Sequence, residues 1–490
     1  MKRHNTIKVV LVTVLVFLLL SWILPAAYYS GGFVDQGRVQ MGIFDLFAYP
    51  VTALSYFGYI ALYLLVVGGF YGILYLIPAY RKLLDSFSKF LGKSKKLSLA
   101  VIMSVIAILT SFCGLQLGLI VFFPFIIAII LLMGYDKLVA ALTIVGSTMV
   151  GIAGTTFAYN NVNVIVGTLD VKMTSNIVFK ILILVFGLAL LIFNTLMYIK
   201  CIDSKNKKKP SKSKTTTKKA KTKTEKKEDK NLFAAKLTDF VPVEAKKKTL
   251  LWPIITVFSV MAVIMILSFI SWSGAFNNAA FENVKTAVVD FKIFGFPLFG
   301  KILGNVAAFG SWTLNELMAL IILAAGLLMI IYKIKLEDGI QAFITGAKRA
   351  LEPAVLVILI YTGLVIVTYH PFQLVIYKAL FGITKGFNII TSLIAGVLAS
   401  VFNADPLYAF QSVIPYLSSL VSGKGTFGII SVVYPAVYGL TMFVAPTSIM
   451  LMITLSYLGV SYKSWLKNIW KLVVELLIML LILFIILSLI

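Results

Sequence analysis

Charged residues are scarce in this chain. They make up 13% of its 490 residues, and 60% of the residues are hydrophobic, whereas a soluble domain is about a quarter charged and about half apolar. The composition excludes a soluble globular fold. Apolar runs of about 18 residues or more predict transmembrane helices, so the expected fold class is an all-α polytopic membrane protein.

Histidine and cysteine are also rare. The two histidines, His4 and His370, cannot form a histidine-based metal cluster, and the two cysteines, Cys113 and Cys201, provide no disulfide framework. Residues 422–426 lack the spacing of a phosphate-binding loop. We therefore expect no enzyme activity and no cofactor, and any transport should be driven by a sodium or proton gradient or by exchange.

Acidic residues are few beside basic ones. The chain has 19 Asp and Glu against 44 Lys and Arg, a formal net charge of +25. The basic residues lie between apolar runs and in one block, residues 200–248, which holds 18 lysines. This distribution is typical of cytoplasmic loops, so no nucleic-acid partner is expected. The block is predicted to be a disordered linker, dispensable for transport, because it has too few apolar residues to form a core.

The apolar runs predict nine membrane spans. They cover residues 9–29, 51–76, 138–166, 177–199, 250–272, 313–332, 354–369, 427–455 and 469–490. The lysine placement puts the N-terminus and the linker in the cytoplasm and the C-terminus outside. We expect the protein in the plasma membrane.

Two further apolar regions are interrupted by small or polar residues and predict re-entrant hairpins. Their tips lie at residues 111–118 and 401–406, and the arms of the second hairpin are too short to cross the membrane. Two of the spans are interrupted in turn, at residues 151–156 and 443–448, and predict broken helices. Irregular backbone at membrane depth is tolerated only where protein or a water-filled cavity satisfies it, so tips and breaks together predict a solute site.

The tips and breaks recur along the chain at a nearly constant offset. Phe112 and Phe402 are 290 residues apart, and Thr155 and Thr447 are 292 apart. A single span, residues 250–272, separates two sets of four spans. The two repeats should therefore have opposite orientations in the membrane, as in many secondary transporters. The predicted organisation is an N-terminal repeat over 1–199, the linker over 200–248, a connecting helix over 249–272 and a C-terminal repeat over 273–490.

Eight polar residues at the tips and breaks are candidates for binding substrate or ion. They are Thr155, Thr156, Asn160, Asn161, Asn403, Asp405, Thr447 and Ser448. An intramembrane carboxylate such as Asp405 tends to mark an ion or substrate path, although Asp405 could also cap the helix that starts at Pro406. The hydroxyls could coordinate a cation, with a possible sodium site near Thr155 or Thr447, or could bond back to their own helices.

Six short segments form recognisable motifs: residues 445–448, 455–460 and 463–467 near the C-terminus, 123–124 and 133–136 in the first half, and 346–348. Together they resemble the C4-dicarboxylate anaerobic carrier-like (YfcC-type) family, which includes basic amino acid antiporters. The resemblance implies a secondary carrier of the wider ion-transporter superfamily, with an elevator mechanism and a homodimeric assembly.

The chain departs from the family pattern at its predicted site. Gln116 stands near the position of an acidic pair, and Asn403 to Pro406 replaces a Ser-Gly-Ser-Gly tip. These departures indicate a diverged ligand.

The leading hypothesis is a secondary transporter of a small carboxylate-bearing metabolite, either a C4-dicarboxylate or an amino acid, embedded in the lipid bilayer. An arginine/ornithine-type basic amino acid antiporter is the alternative within transport, since Asp405 could pair with a cationic group. A membrane scaffold that binds anionic lipid or RNA through the linker is the alternative from another class.

Overall fold

The structure is a computed structural model that describes residues 5–207, 233–243, 249–384, 387–421 and 423–489. Within these ranges it is almost entirely helical, and nine helices are long and apolar enough to cross a membrane. The prediction of an all-α polytopic membrane protein is confirmed.

The first half contains nine helices and the two-stranded sheet of the described chain. The elements are α1 (Asn5–Ile23), β1 (Ala26–Tyr29), β2 (Phe33–Gly37), α2 (Asp45–Leu76), α3 (Pro78–Gly92), α4 (Lys95–Cys113), α5 (Phe123–Leu132), α6 (Lys137–Ala141), α7 (Ser147–Ala153), α8 (Tyr159–Leu169) and α9 (Ile177–Lys207). A 3-10 turn, Leu117–Phe122, precedes α5, and a π-helical stretch, Leu142–Gly146, joins α6 to α7.

The second half begins with a 3-10 turn, Leu237–Asp239. Its helices are α10 (Trp252–Phe269), α11 (Trp272–Phe276), α12 (Ala280–Asp290), α13 (Leu298–Leu303), α14 (Leu314–Ile331), α15 (Leu336–Arg349), α16 (Leu351–Tyr369), α17 (Gln373–Thr384), α18 (Ile389–Phe402), α19 (Pro406–Leu420), α20 (Lys424–Met442), α21 (Ile449–Leu458) and α22 (Tyr462–Leu489).

The nine helices found are not quite the nine predicted. The predicted span 138–166 is divided by its break into pieces that are each short, whereas α4, predicted to be a short hairpin arm, has 19 residues and is long enough to cross. It runs on to Gly114, where a left-handed backbone (φ 71°) ends it. The first predicted span also ends early, because Pro25 lacks an amide donor and residues 26–29 pair as a strand.

The membrane helices pack in two groups. In the first, which we call the α2 group, α2 packs against α14, α15 and α16, with α1 on α16 and α10 on α14. In the second, the broken-helix group, α4 and α18 pack on the interrupted helices α7 and α20. This group also includes α6 and α21, which continue the interrupted helices along the chain, together with α8, α9, α19 and α22. Helix α16 also packs on α21, so the groups share an interface.

Glycines allow the close crossing of α2 and α15. A Cβ atom on Gly346 would lie 2.1 Å from the carbonyl oxygen of Gly68, and one on Gly72 would lie 2.1 Å from the carbonyl oxygen of Ala342. Small residues four apart let helix backbones approach closely in membranes. The signature segment 346–348 therefore contributes to the packing of the α2 group.

The second predicted hairpin has the expected dimensions. Its arms, α18 and α19, have 14 and 15 residues, fewer than the roughly 20 needed to cross the membrane, and they meet at residues 403–405. Both predicted helix breaks are also present, between α7 and α8 and between α20 and α21.

The predicted linker has structure at both of its ends. Helix α9 continues to Lys207, and residues 233–243 pack against the helices, with Phe240 and Val241 buried. The disordered linker predicted over 200–248 is therefore too long. Its lysine-rich middle, residues 208–232, and residues 244–248 lie outside the described part of the chain.

Candidate functional site

A small cavity lies where the tips and breaks converge. Its volume, measured as room for the centres of water molecules, is about 30 Å³, enough for roughly two waters. It is lined by Gln116, Leu117, Met149, Ile152, Ala404, Asp405, Pro406, Tyr438, Met442, Ser448, Ile449 and Met450. The structure thus brings together both tips and both interrupted helices, which are distant in sequence.

Asp405 occupies the second tip and lines the cavity. Its carboxylate accepts a hydrogen bond from the backbone N–H of Leu407 at 2.8 Å and caps the N-terminus of α19. The capping interpretation is therefore confirmed, and Asp405 also belongs to the cavity lining. The lining contains this one carboxylate and no Lys, Arg or His.

The N-terminus of α21 forms another part of the cavity wall. Ser448 caps this helix, with its Oγ accepting from the N–H of Leu451 at 3.4 Å, and Ile449 and Met450 in the first turn line the cavity. First-turn amides have no partner within their helix, and the helix dipole adds partial positive charge there. This wall favours a negatively charged group, whereas Asp405 favours a positive one.

A pair of amides extends the polar surface at the first tip. Gln116 lines the cavity, and its Nε2 donates to Oδ1 of Asn161 at 2.9 Å. The Nδ2 group of Asn161 is buried without a hydrogen-bond partner in the described chain. A buried donor left unsatisfied is costly, so Asn161 is poised to donate to a ligand or a water.

Each tip is tied to the break of its own half by a hydroxyl. The Thr156 hydroxyl lies 3.2 Å from the carbonyl oxygen of Ser111 at the end of α4, and the Ser111 hydroxyl donates to the carbonyl of Gly154 at 2.6 Å. In the other half, Thr447 donates to the carbonyl oxygen of Val401 at 2.9 Å. The accepting residues, 111 and 401, differ by the repeat offset of 290, so both halves use the same contact.

We expect Thr447→Val to loosen the second tip. The substitution leaves the partly buried Val401 carbonyl without its hydroxyl partner, at a cost of about 1 to 3 kcal/mol. Thr441→Val is the matched control, because Thr441 donates back to the Val437 carbonyl of its own helix, which also accepts within the helix. Hydrogen exchange of residues 399–407 should quicken in the Thr447 variant alone. Equal exchange in both variants would show that the tip does not depend on this contact.

Five of the eight predicted residues lie at the cavity or bond the tips. Asp405 and Ser448 line the cavity. Thr156 and Thr447 bond the tips, and Asn161 reaches the cavity through Gln116.

The other three predicted residues lie elsewhere. Thr155 bonds back to the Ile152 carbonyl at 2.6 Å, and Asn403 donates to Gln373 at 3.1 Å and to the carbonyl of Ala399. Asn160 is exposed.

Sequence reasoning missed two polar cavity residues. Gln116 attracted notice as a departure from a family pattern, and its place just after the first tip was an available signal. Tyr438 donates to the Ala404 carbonyl at 3.1 Å. It lies inside an apolar run of α20, so no sequence signal marked it as a cavity residue.

No group of three His, Cys, Asp or Glu that could hold a metal ion occurs in the described ranges. The sodium site near Thr155 or Thr447 would use hydroxyl and carbonyl oxygens instead, and it stays a prediction.

Comparison with known proteins gives one family match. The family model for DcuC, the C4-dicarboxylate anaerobic carrier, matches residues 4–489. No curated protein matched the chain. Among solved structures, the YdaH transporter of Alcanivorax borkumensis is 14% identical with a TM-score of 0.41, over 99% of this chain and 98% of that one. MtrF of Neisseria gonorrhoeae, described with a class of antimetabolite efflux pumps, is 14% identical with a TM-score of 0.38, over 98% and 94%.

Proposed function

Because this chain belongs to the C4-dicarboxylate anaerobic carrier family, it is a secondary transporter of a small molecule, and we propose that its substrate is an amino acid. The observation that carries this proposal is the charge of the cavity. One carboxylate, that of Asp405, and the N-terminus of α21 both belong to the cavity lining, and the lining residues that the structure describes include no basic side chain. A zwitterion fits this arrangement, with its ammonium group at Asp405 and its carboxylate at the helix N-terminus.

A C4-dicarboxylate is the second candidate, favoured by the family description. It would bring two carboxylates close to Asp405. Asp405 already caps the N-terminus of α19, so only the N-terminus of α21 would be left to receive them. Like charges in a desolvated site repel strongly. A basic amino acid would add a second cationic group, for which the lining offers no second carboxylate. A neutral amino acid therefore leaves the fewest charges unpaired.

A ligand screen by thermal shift tests this proposal. A compound that binds only the folded state raises its apparent stability by mass action. Neutral amino acids should raise the unfolding temperature more than arginine, ornithine or C4-dicarboxylates at equal concentration, and repeating the screen with and without sodium would reveal ion coupling. A shift with dicarboxylates alone would contradict the amino-acid assignment, and uptake of the best ligand into proteoliposomes would complete the test.

The transport movement we propose is a displacement of the broken-helix group relative to the α2 group, as in an elevator. The cavity is too small in this structure for a metabolite, so substrate exchange requires such a rearrangement. Support comes from the packing, since α4 and α18 pack on α7 and α20, and α7 and α20 pack on each other within one group. The interface with the α2 group includes the contact of α21 with α16. Two inverted repeats, 1–199 and 273–490 joined by 249–272, would give the two access states their symmetry. We propose a homodimer in the plasma membrane as the assembled form.

The orientation we propose places the ends of α9 and α22 on opposite sides of the membrane. Native Cys201 is exposed at the end of α9 and should resist an impermeant thiol reagent in whole cells, because lysine-rich segments remain in the cytoplasm. A cysteine introduced by Ser488→Cys in a Cys201→Ser chain should react, and the Cys201→Ser chain alone gives the background from buried Cys113. Labelling of Cys201 without labelling at position 488 would reverse the orientation.

A further inference from the structure

Residues 233–243, the folded end of the predicted linker, lie across the junction between the two helix groups. Phe233, Phe240 and Val241 are buried there, although the adjoining sequence is rich in lysine. A short peptide with three buried apolar residues has a specific docking surface on the helices. We name residues 233–243 the strap.

The strap contacts the α2 side through backbone carbonyls. The Tyr75 hydroxyl, near the end of α2, donates to the carbonyl oxygen of Phe240 at 2.8 Å. Arg81 on the following helix, α3, donates to the carbonyl oxygen of Pro242 at 2.9 Å. The strap also leads within nine residues of chain into α10, which belongs to the α2 group. The α2 side is therefore its anchor.

The strap contacts the broken-helix group through Phe240 and Phe233. The Lys137 N–H, at the start of α6, donates to the Phe233 carbonyl oxygen at 3.1 Å, and the Lys137 ammonium lies 5.6 Å from the centre of the Phe240 ring. The Tyr457 ring, near the end of α21, meets Phe240 edge-on at 5.7 Å. Phe240 thus touches both groups, one with its carbonyl and the other with its ring.

We propose that the strap is a latch that holds the broken-helix group against the α2 group and must release during transport. The proposal rests on the relative movement of the two groups set out above. The contacts suit a reversible latch: two hydrogen bonds fix the strap to the anchoring side, whereas one hydrogen bond and two ring contacts hold the moving side. Ring contacts of this kind are individually weak, so thermal motion can break them without unfolding either group.

The chain contains its own reporter of latch opening. Cys113 is buried at the end of α4, three residues before Gln116 of the cavity. In a Cys201→Ser chain, its rate of reaction with N-ethylmaleimide in proteoliposomes measures how often the tip region opens. The measurement needs no substrate, so it succeeds or fails independently of the amino-acid assignment.

Phe240→Ala should raise the Cys113 labelling rate by roughly two- to tenfold, the range expected for losing an edge-on aromatic pair. Val243→Ala is the matched control, because Val243 lies in the same strap with 83% of its surface exposed. Equal labelling rates in the two variants would overturn the latch.

A disulfide that holds the strap closed gives the converse test, and it distinguishes a latch from a strap that only stabilises the fold. Phe240→Cys combined with Tyr457→Cys places two thiols at a ring contact. Oxidation should lower the Cys113 labelling rate at least about tenfold and should suppress transport, and a reductant should restore both. Loss of stability in Phe240→Ala, with no effect of the disulfide on labelling, would show that the strap only supports the fold.

Discussion

Asp405→Asn should lower substrate affinity at least about thirtyfold while leaving the folded protein intact. Asparagine caps a helix about as well as aspartate, so the hydrogen bond to Leu407 survives the substitution. The negative charge does not survive, and removing one partner of a buried charge pair costs about 2 kcal/mol or more. Binding curves from thermal shift, measured with the best amino acid from the screen, would give the affinity.

Asp405→Ala separates the two roles of this residue. Alanine removes the cap as well as the charge, so this variant should lose about 1 kcal/mol of stability in addition to affinity. If Asp405→Asn bound substrate like the wild type and Asp405→Ala were merely less stable, Asp405 would be a cap alone. The amino-acid proposal would then lose its main support.

Gly346→Ala should prevent α2 and α15 from packing and should cost about 3 kcal/mol or more of stability. The added Cβ would lie 2.1 Å from the Gly68 carbonyl oxygen and 2.8 Å from backbone atoms of Gly72. These are backbone atoms, which cannot turn aside as the end of a flexible side chain can, so the two helices would have to separate.

Gly326→Ala is the control for this prediction. Gly326 lies within α14, and nothing comes within 4 Å of a Cβ built on it. Both substitutions raise helix propensity by about 1 kcal/mol, so their difference isolates the crossing. The yield of monodisperse protein and its unfolding temperature in detergent should fall for Gly346→Ala and stay level or rise for Gly326→Ala. Similar behaviour of both would mean that the crossing adjusts readily.

The sequence could not predict contacts between residues that are distant along the chain. Gln116 and Asn161 meet only because the first tip packs against α8, and Tyr438 points at the second tip from the middle of an apolar helix. The sequence aligns Thr155 with Thr447, but Thr155 bonds its own helix, and Thr156 makes the tip contact that corresponds to that of Thr447. Which carbonyl a threonine hydroxyl bonds depends on its rotamer and on the neighbouring segment of chain, and a sequence pattern shows neither.

The sequence by itself determined that this protein lies in a lipid bilayer and where its helices break. Apolar runs of membrane length and polar or proline-containing interruptions follow from the need to satisfy every backbone group in lipid, and each segment meets that need locally. The repeat offset near 290 is also visible in the sequence. The tertiary structure alone decided that Asp405 and the N-terminus of α21 line one cavity and that α2 crosses α15 at glycines. It also decided that a strap inside a lysine-rich block joins two helix groups. Helix packing in lipid is set by shape and by individual hydrogen bonds, and these become defined only when the helices meet.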